Sequence, residues 1–303
     1  KCKAPDGSSV FEATSFFVNG APAMRPHDPY GINSFGGFLS TTVNYVAGCS
    51  LLSGVEAFAD NVSVLSSLSF TLTTRFGGYL INKDMPYTAL ARRSLMLLPR
   101  EVMMPRLCDS RIGTVPVAFV KFSDREQEAK AVYYACRWNL KPSDPAAFAA
   151  GKLTTPERPI VFYVDDTFPA GWYDAIRRGL LSWNAAFEKI GYRDAVQVRP
   201  YPREDASFDP NDIKFSCVKY ANTMGESLSS SARIDPRSGE ILSATICIPH
   251  NVTSRIRTDL FVQLGAADPD ARRVKMSPEL FRKALAADVA RHTGACLGLA
   301  VNY

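Results

Sequence analysis

The sequence has few histidines and no long apolar run. Its 303 residues include three histidines, and none of its seven cysteines stands in the C-x-x-C spacing of thiolate zinc ribbons and thioredoxin-like sites. No uninterrupted apolar stretch reaches the roughly 18 residues that a transmembrane helix needs. Gly-rich phosphate-binding loops and the Gly-x-Ser-x-Gly nucleophile elbow are also absent. These absences argue against P-loop, dinucleotide-binding, thioredoxin-like and α/β-hydrolase functions.

Positive charge is small and dispersed. The net charge is +5 and the pI is about 8.8, and the paired arginines are scattered along the chain. A nucleic-acid-binding surface needs a concentrated basic stripe, so the sequence predicts no nucleic-acid partner. Hydrophobic residues make up 46% and charged residues 21%, which is typical of a folded chain. At about 150 residues per domain, the length favours two domains.

The first domain, residues 1–155, is expected to be β-rich. Apolar and polar residues alternate in several stretches, which is typical of half-exposed antiparallel strands. The predicted strands are 62–76, 89–98, 115–122 and 131–140. A helix is predicted at 51–59 and a helical turn at 143–150, and residues 1–40 favour loops. A polar segment with two prolines, 151–159, predicts the boundary.

The second domain, residues 156–303, is expected to alternate strands and helices. An apolar stripe from Trp172 to Ile190 predicts one helix that ends at Gly191. A second stripe, from Phe281 to Leu299, predicts the last helix. The predicted strands are 160–164, 196–198, 213–220 and 241–248. The two halves together predict an α+β fold.

Several segments of the chain, from about Phe58 to Tyr303, resemble a known family. They are Met104–Gly113, Arg158–Val164, Ser182–Gly191, Phe208–Ile213, Asp235–Ile241, Pro249–Val252 and Phe261–Gln263. The chain thereby resembles large zinc-dependent metalloproteases of the Gram-negative envelope, which are metzincin-like and carry a β-rich domain of unknown function before the peptidase. The resemblance implies a zincin-like α/β domain with a twisted mixed sheet, an active-site-type helix and an antiparallel edge strand at 241–248.

The family's zinc motif, His-Glu-x-x-His-x-x-Gly-x-x-His, is degenerate here. In the motif, three histidines bind zinc and the glutamate polarises the metal-bound water. Aligned on the motif's glycines, the four functional positions are occupied by Arg291, His292, Ala295 and Val301. Arginine has no lone pair to offer a metal, and alanine and valine carry no donor atom. We therefore expect no catalytic residues, no metal site and no zinc cofactor in this chain.

Other candidate sites have simpler alternatives. His292 and Cys296 share a helix face and could bind a metal with His250, but their apolar stripe favours a place in the core. His27 is expected at the surface. Asp109 and Arg111 could form an ion pair that packs the two domains together, or they could belong to a surface turn closed by Gly113.

The favoured hypothesis is a catalytically inactive metalloprotease homologue that binds a peptide or protein, or has a structural role. An exposed edge strand can accept an extended peptide by strand addition. The groove candidates are Ser243, Thr245, Cys247 and His250. His250 could instead hydrogen-bond the turn after the strand. An active zinc endopeptidase with non-standard ligands and a purely structural domain pair remain as alternatives.

The resemblance also implies a location and a missing segment. The family belongs to the cell envelope, so we expect a periplasmic, outer-membrane-associated or secreted protein. No basic-then-apolar leader stands at Lys1, so any export signal is expected to have been removed or never to have been present. The family's chain continues beyond the last helix to a Met-containing turn, so we expect the second domain to be incomplete on its C-terminal side.

Overall fold

A computed structural model describes residues 2–20, 39–122, 124, 128–223 and 225–300. His27 and Val301 lie outside these described residues. By their internal contacts the residues form two compact units, Lys1–Leu97 and Leu98–Tyr303.

The first unit is built around one long antiparallel hairpin. Strand β5 pairs with β6 along one edge, while β3 and β4 share its other edge end to end. A short pair, β1 and β2, and helix α1 precede this sheet. The elements are β1 (Cys2–Lys3), β2 (Ser9–Val10), α1 (Thr14–Phe17), β3 (Leu39–Tyr45), β4 (Leu51–Ala57), β5 (Asn61–Phe76) and β6 (Tyr79–Met96).

The strands predicted at 62–76 and 89–98 are confirmed, but the helix predicted at 51–59 is wrong. Residues Leu51–Ala57 form strand β4, which pairs with β5 and has a register shift between Leu52 and Gly54. The apolar spacing of this short segment fits a helix. Pairing with a long neighbouring strand outweighs such a weak local preference. The core of the unit lies along β5, where Leu68, Phe70 and Leu72 are buried.

The second unit contains a mixed five-stranded sheet. Its strand order is β10-β9-β11-β13-β12, and every neighbouring pair is parallel except β12 with β13. A separate hairpin, β7 with β8, precedes the sheet. The strands are β7 (Pro116–Lys121), β8 (Lys130–Ala135), β9 (Ile160–Val164), β10 (Val196–Pro200), β11 (Ser216–Ala221), β12 (Ser229–Asp235) and β13 (Glu240–Pro249). The helices are α2 (Pro145–Ala149), α3 (Trp172–Leu181), α4 (Asn184–Lys189), α5 (Val252–Leu264) and α6 (Pro278–Cys296).

The chain is therefore α+β, as predicted. The strand expected at 160–164 has the predicted bounds. The strands expected at 115–122, 196–198, 213–220 and 241–248 and the short helix near 143–150 are present with shifted ends, and the strand expected at 131–140 ends already at Ala135. The single helix predicted from Trp172 to Ile190 is two helices. Ser182 donates its hydroxyl to the Gly179 carbonyl at 2.7 Å, which takes an acceptor from the helical ladder at the junction.

The edge strand predicted at 241–248 is an interior strand. β13 lies between β11 and β12, so both of its hydrogen-bonding edges are already paired. Most of its residues are buried, as expected for a strand flanked on both sides. The antiparallel edge strand is instead β12, which begins with the polar run Ser229, Ser230 and Ser231.

The core of the second unit lies between the sheet and two helices. Phe162, Ile246 and Ile248 of the sheet are fully buried in one cluster with side chains of α3 and α6. The helices approach closely at Gly179, where an added Cβ would lie 2.5 Å from the Ala286 carbonyl oxygen. Burial of this apolar surface supplies most of the unit's stability.

The internal contacts divide the chain between Leu97 and Leu98, whereas the sequence composition predicted the boundary at 151–159. Residues 98–155 group with the sheet, because several backbone and side-chain contacts attach them to it. Thr114 bridges to Leu299, and the Trp138 indole donates to the Cys296 carbonyl at 2.9 Å. The segment 151–159, predicted as a domain boundary, lies inside the second unit.

Asp109 and Arg111 form a local ion pair. The Arg111 Nε atom lies 2.9 Å from Asp109 Oδ1, and the Arg111 side chain is 87% exposed. Gly113 follows with φ +65°. Of the two alternatives considered from the sequence, an ion pair that packs the domains together and a surface turn closed by Gly113, this arrangement is the surface turn.

Candidate functional site at the end of helix α6

Helix α6 carries the positions that align with the zinc motif. The Ser277 hydroxyl caps its first turn by accepting from the Leu280 amide at 3.2 Å. Leu285 and Val289 are fully buried and hold one face of the helix against the sheet. The last two turns therefore present Arg291 and His292 beside the edge strand β12, which is in contact with the helix.

His292 links the helix to the edge strand. Its Nδ1 atom lies 3.1 Å from the Ser230 hydroxyl of β12, and its Nε2 atom lies 3.2 Å from Arg291 Nη2. The His292 side chain is 13% exposed. Burial lowers the pKa of His292, the charges of Arg291 and Arg255 lower it further, and Asp288 opposes them. The ring is therefore held mainly in its neutral form.

Asp288 is the centre of a charged network beside His292. Its carboxylate accepts from Arg291 Nη2 at 2.7 Å and from Arg255 Nη2, and it lies 4.0 Å from His292 Nε2. The Asp288 side chain is 11% exposed. The pair of Arg255 with Asp288 connects α5 to α6, and Arg255 also contacts Asp259 of its own helix at 3.3 Å. One mostly buried carboxylate thus holds two guanidinium groups, that of Arg291 on its own helix and that of Arg255 from α5.

The residues at the motif do not fit a zinc ion. Arg291 is paired with Asp288, Ala295 has no donor atom, and Val301 lies outside the described residues. The two arginines place positive charge where a divalent cation would have to bind. In the described part of the chain, no three His, Cys, Asp or Glu side chains form a group that could hold a metal. The expected absence of a zinc site stays a prediction.

The His292 and Cys296 pair is part of the core rather than an open ligand pair. Cys296 is buried, and burial raises the pKa of its thiol to about 12. His292 directs one ring nitrogen to Ser230. A neutral buried thiol is a poor metal ligand, since the thiolate is the form that binds.

The predicted groove residues of β13 do not line an edge groove. Ser243 is buried and donates its hydroxyl to the Ile213 carbonyl. Thr245 accepts from Arg233 Nη1 at 2.5 Å. Cys247 is half-buried, and burial raises the pKa of its thiol. Side chains alternate along a strand, so these three lie on the face opposite Ala244, which packs in the helix-covered core.

His250 belongs to an aromatic cluster at the carboxyl ends of the parallel strands. Its Nδ1 atom lies 2.6 Å from the Tyr220 hydroxyl, and its ring stacks on Trp172 with centroids 6.3 Å apart. The backbone amide of His250 donates to Ala221. Among the described residues, the hydrogen bond of the His250 ring therefore goes to Tyr220 and not to the turn backbone, and its place in a groove stays a prediction.

Sequence reasoning missed Ser230, Arg233, Arg255 and Asp288. The spacing of Asp288 from Arg291 and His292, three and four residues, was a readable signal, since side chains at these spacings meet on a helix. Arg255 and Ser230 reach the site from other elements, and no local pattern marks them. Arg233 is half-buried on β12, and desolvation lowers the pKa of its guanidinium.

Stability should depend on the protonation of His292. Its pKa is 6.5 when unfolded and lower when folded, so the unfolded chain binds more protons between the two values. The free energy of unfolding should therefore fall as the pH is lowered through about 6.5. We expect His292→Gln to reduce this slope, measured by urea denaturation at several pH values. An unchanged slope would contradict the assignment.

Comparison with known proteins gives one match, to part of the chain. A protein family described as "Domain of unknown function (DUF5117)" matches residues 1–143. The match covers the first unit and the β7–β8 hairpin of the second, and the family's description names no activity. No curated protein and no solved structure matches the chain. Among the described helices, none combines the length and apolarity needed to cross a membrane.

Proposed function

We propose that the second unit is a catalytically inactive homologue of zincin-type metalloproteases that binds an extended peptide or protein segment at the cell envelope. The observation that carries the proposal is the antiparallel edge strand β12, which lies against a helix whose zinc positions hold Arg291, His292 and Ala295. The parallel sheet with one antiparallel edge strand supports the resemblance to zincins.

Strand addition is proposed at β12. No other strand among the described residues pairs with its outer edge. Edge strands that must not pair usually carry lysine, proline or other charges. The first four residues of β12, Ser229 to Ala232, carry neither charge nor proline. The opposite edge strand, β10, ends with Arg199 and Pro200 and is shorter, so it is the less suitable edge.

The His292–Ser230 contact supports binding rather than hydrolysis. In the resembled family this helix position holds the general base. Here the ring is hydrogen-bonded to the edge strand itself and kept mainly neutral by burial and two arginines. The side chain thus fixes the position of the strand that would receive the peptide. No step of water activation follows from this arrangement.

Hydrogen exchange on the intact chain tests the binding mode. The probe is an unfolded polypeptide, reduced and carboxymethylated α-lactalbumin. We expect slower exchange of amides in Ser229–Asp235, because strand addition pairs groups that otherwise face water. The amides of β10, Val196–Pro200, serve as the internal control and should be unchanged. Protection of β10 alone, or of neither strand, would refute binding at β12.

Metal content tests the absence of catalysis separately. The purified chain should hold less than a tenth of an equivalent of zinc and leave the unfolded polypeptide uncleaved, with and without added zinc. Exchange protection at β12 should persist in chelator. Near-stoichiometric zinc, together with hydrolysis that chelation abolishes, would instead establish the active endopeptidase.

A further inference from the structure

A basic cavity lies where the amino ends of three helices meet. Its volume is about 600 Å³, and it is bordered by Gly171 at the start of α3, Asn251 at the start of α5 and Pro278 at the start of α6. Helices α3 and α5 follow strands β9 and β13, so the cavity is close to the carboxyl ends of parallel strands. Ligands of open α/β sheets bind outside such strand ends.

The cavity is lined by three basic side chains and by no acidic one. These are Arg257, Lys275 and Arg282. Arg257 extends from the same face of α5 as Thr253 and Ser254, whose side chains are also in the lining. The guanidinium of Arg282 lies at the start of α3, since its Nη1 atom is 3.6 Å from the position that a Cβ on Gly171 would occupy.

These three cations differ from the basic residues next to them. Arg255, Arg273 and Lys283 are each in an ion pair, with Asp288, Asp270 and Glu279 respectively. Among the described residues, no carboxylate lies within ion-pair distance of Arg257, Lys275 or Arg282. Asp174 in the first turn of α3 and Glu279 in the first turn of α6 carry negative charge on the surrounding helices, and Glu279 acts on Arg282 electrostatically. Neither forms an ion pair with the three cations that line the cavity.

The cavity also has features beyond its charge. The first turns of α3 and α5 have no side-chain cap, and the first turn of α5 contains no acidic residue, so the amide groups of α5 add positive potential at this place. Trp172, Phe281 and Met276 form an apolar wall. Serine and threonine hydroxyls and three cations suit a doubly charged oxyanion, and the wall suits an apolar group attached to it.

We propose that this cavity binds a small organic phosphate, with the phosphate group held by Arg257, Lys275 and Arg282 and its apolar part against Trp172 and Phe281. The site is separate from the edge strand β12, and it stands or falls independently of peptide binding. Neither the domain match nor the resemblance to metalloproteases assigns a ligand to it.

Titration calorimetry on the full chain tests the proposal with two probes, inorganic phosphate and phenyl phosphate, at constant ionic strength set with chloride. We expect one equivalent of each to bind, and phenyl phosphate to bind at least about three times more tightly because it also contacts the apolar wall. The double variant R257Q/K275Q should weaken both at least tenfold. The matched control R273Q/K283Q removes the same charge from paired residues outside the cavity and should change binding less than twofold.

The outcomes separate a built site from general attraction of anions. Equal weakening by the two double variants would show that only net charge matters, and would overturn the proposal. Absence of saturable binding up to 20 mM of either probe would overturn it as well. Circular dichroism of each variant confirms folding, and the conservative variant R257K should keep most of the affinity if the fold is intact.

Discussion

Replacing Gly298 with alanine should destabilise the second unit by about 3 kcal/mol. Gly298 follows the end of α6 with φ +91°, a conformation in which an alanine costs about 1 kcal/mol. Its Cβ would also lie 2.2 Å from the Cys136 carbonyl oxygen, a backbone atom. Relieving such an overlap requires backbone movement, which costs about 2 kcal/mol more.

The surroundings of Gly298 leave little room for that movement. Its amide donates to Ala295 and the Leu299 amide donates to Gly294, which together form a Schellman motif at the helix end. Its own carbonyl accepts from Val115 at 2.8 Å. The segment on the other side of the contact is attached as well, because the Cys136 amide donates to Val115 and the Arg137 amide donates to Gly239, each at 2.9 Å.

Gly151→Ala is the matched control for this prediction. Gly151 has φ +74°, and no atom lies within 4 Å of the Cβ that alanine would add. The control should cost only about 1 kcal/mol, from the backbone conformation alone. All three tryptophans lie in the second unit, so their fluorescence in urea reports its unfolding. Equal losses of unfolding free energy for the two variants would show that the overlap at Gly298 is relieved without cost.

The elements predicted correctly are those whose pattern is local and long. The alternation over β5 and the apolar runs of β9 and β13 were sufficient to place strands there. The pattern of β4 was too short to separate a helix from a strand, and pairing with β5 decided it. The interior place of β13 could not be read from the chain, because strand order depends on how the helices pack across the sheet.

The candidate site shows the same limit. The apolar stripe of the last helix was sufficient to place Arg291, His292 and Ala295 on one helix, as α6 shows. The partners that determine their chemistry come from β12 and α5. Ser230, which contacts His292, is 62 residues away from it in the sequence. Contacts at such separations depend on the three-dimensional packing of elements, and neither composition nor periodicity records it.

Asp288→Ala should destabilise the second unit by about 2–3 kcal/mol. The Asp288 carboxylate is mostly buried and accepts hydrogen bonds from Arg255 and Arg291. Charged hydrogen bonds of this kind contribute about 1.5–3 kcal/mol, and the truncation also leaves the half-buried Arg255 without its main partner. The loss of unfolding free energy should be greatest at low salt and should remain large at 0.5 M salt, since a buried ion pair is screened little.

Asp259→Ala is the control, because Asp259 contacts the same arginine from the exposed side of α5. Its side chain is 49% exposed and lies 3.3 Å from Arg255, so its loss should cost at most about 0.5 kcal/mol. Asp288 also raises the pKa of His292, so Asp288→Ala should lower the midpoint of the His292 titration followed by NMR. A small loss of stability together with an unshifted His292 titration would show that Arg291, Arg255 and His292 do not depend on Asp288. A large loss of unfolding free energy with the predicted shift would establish this carboxylate as the group that holds Arg255 of α5 and Arg291 of α6 together beside His292.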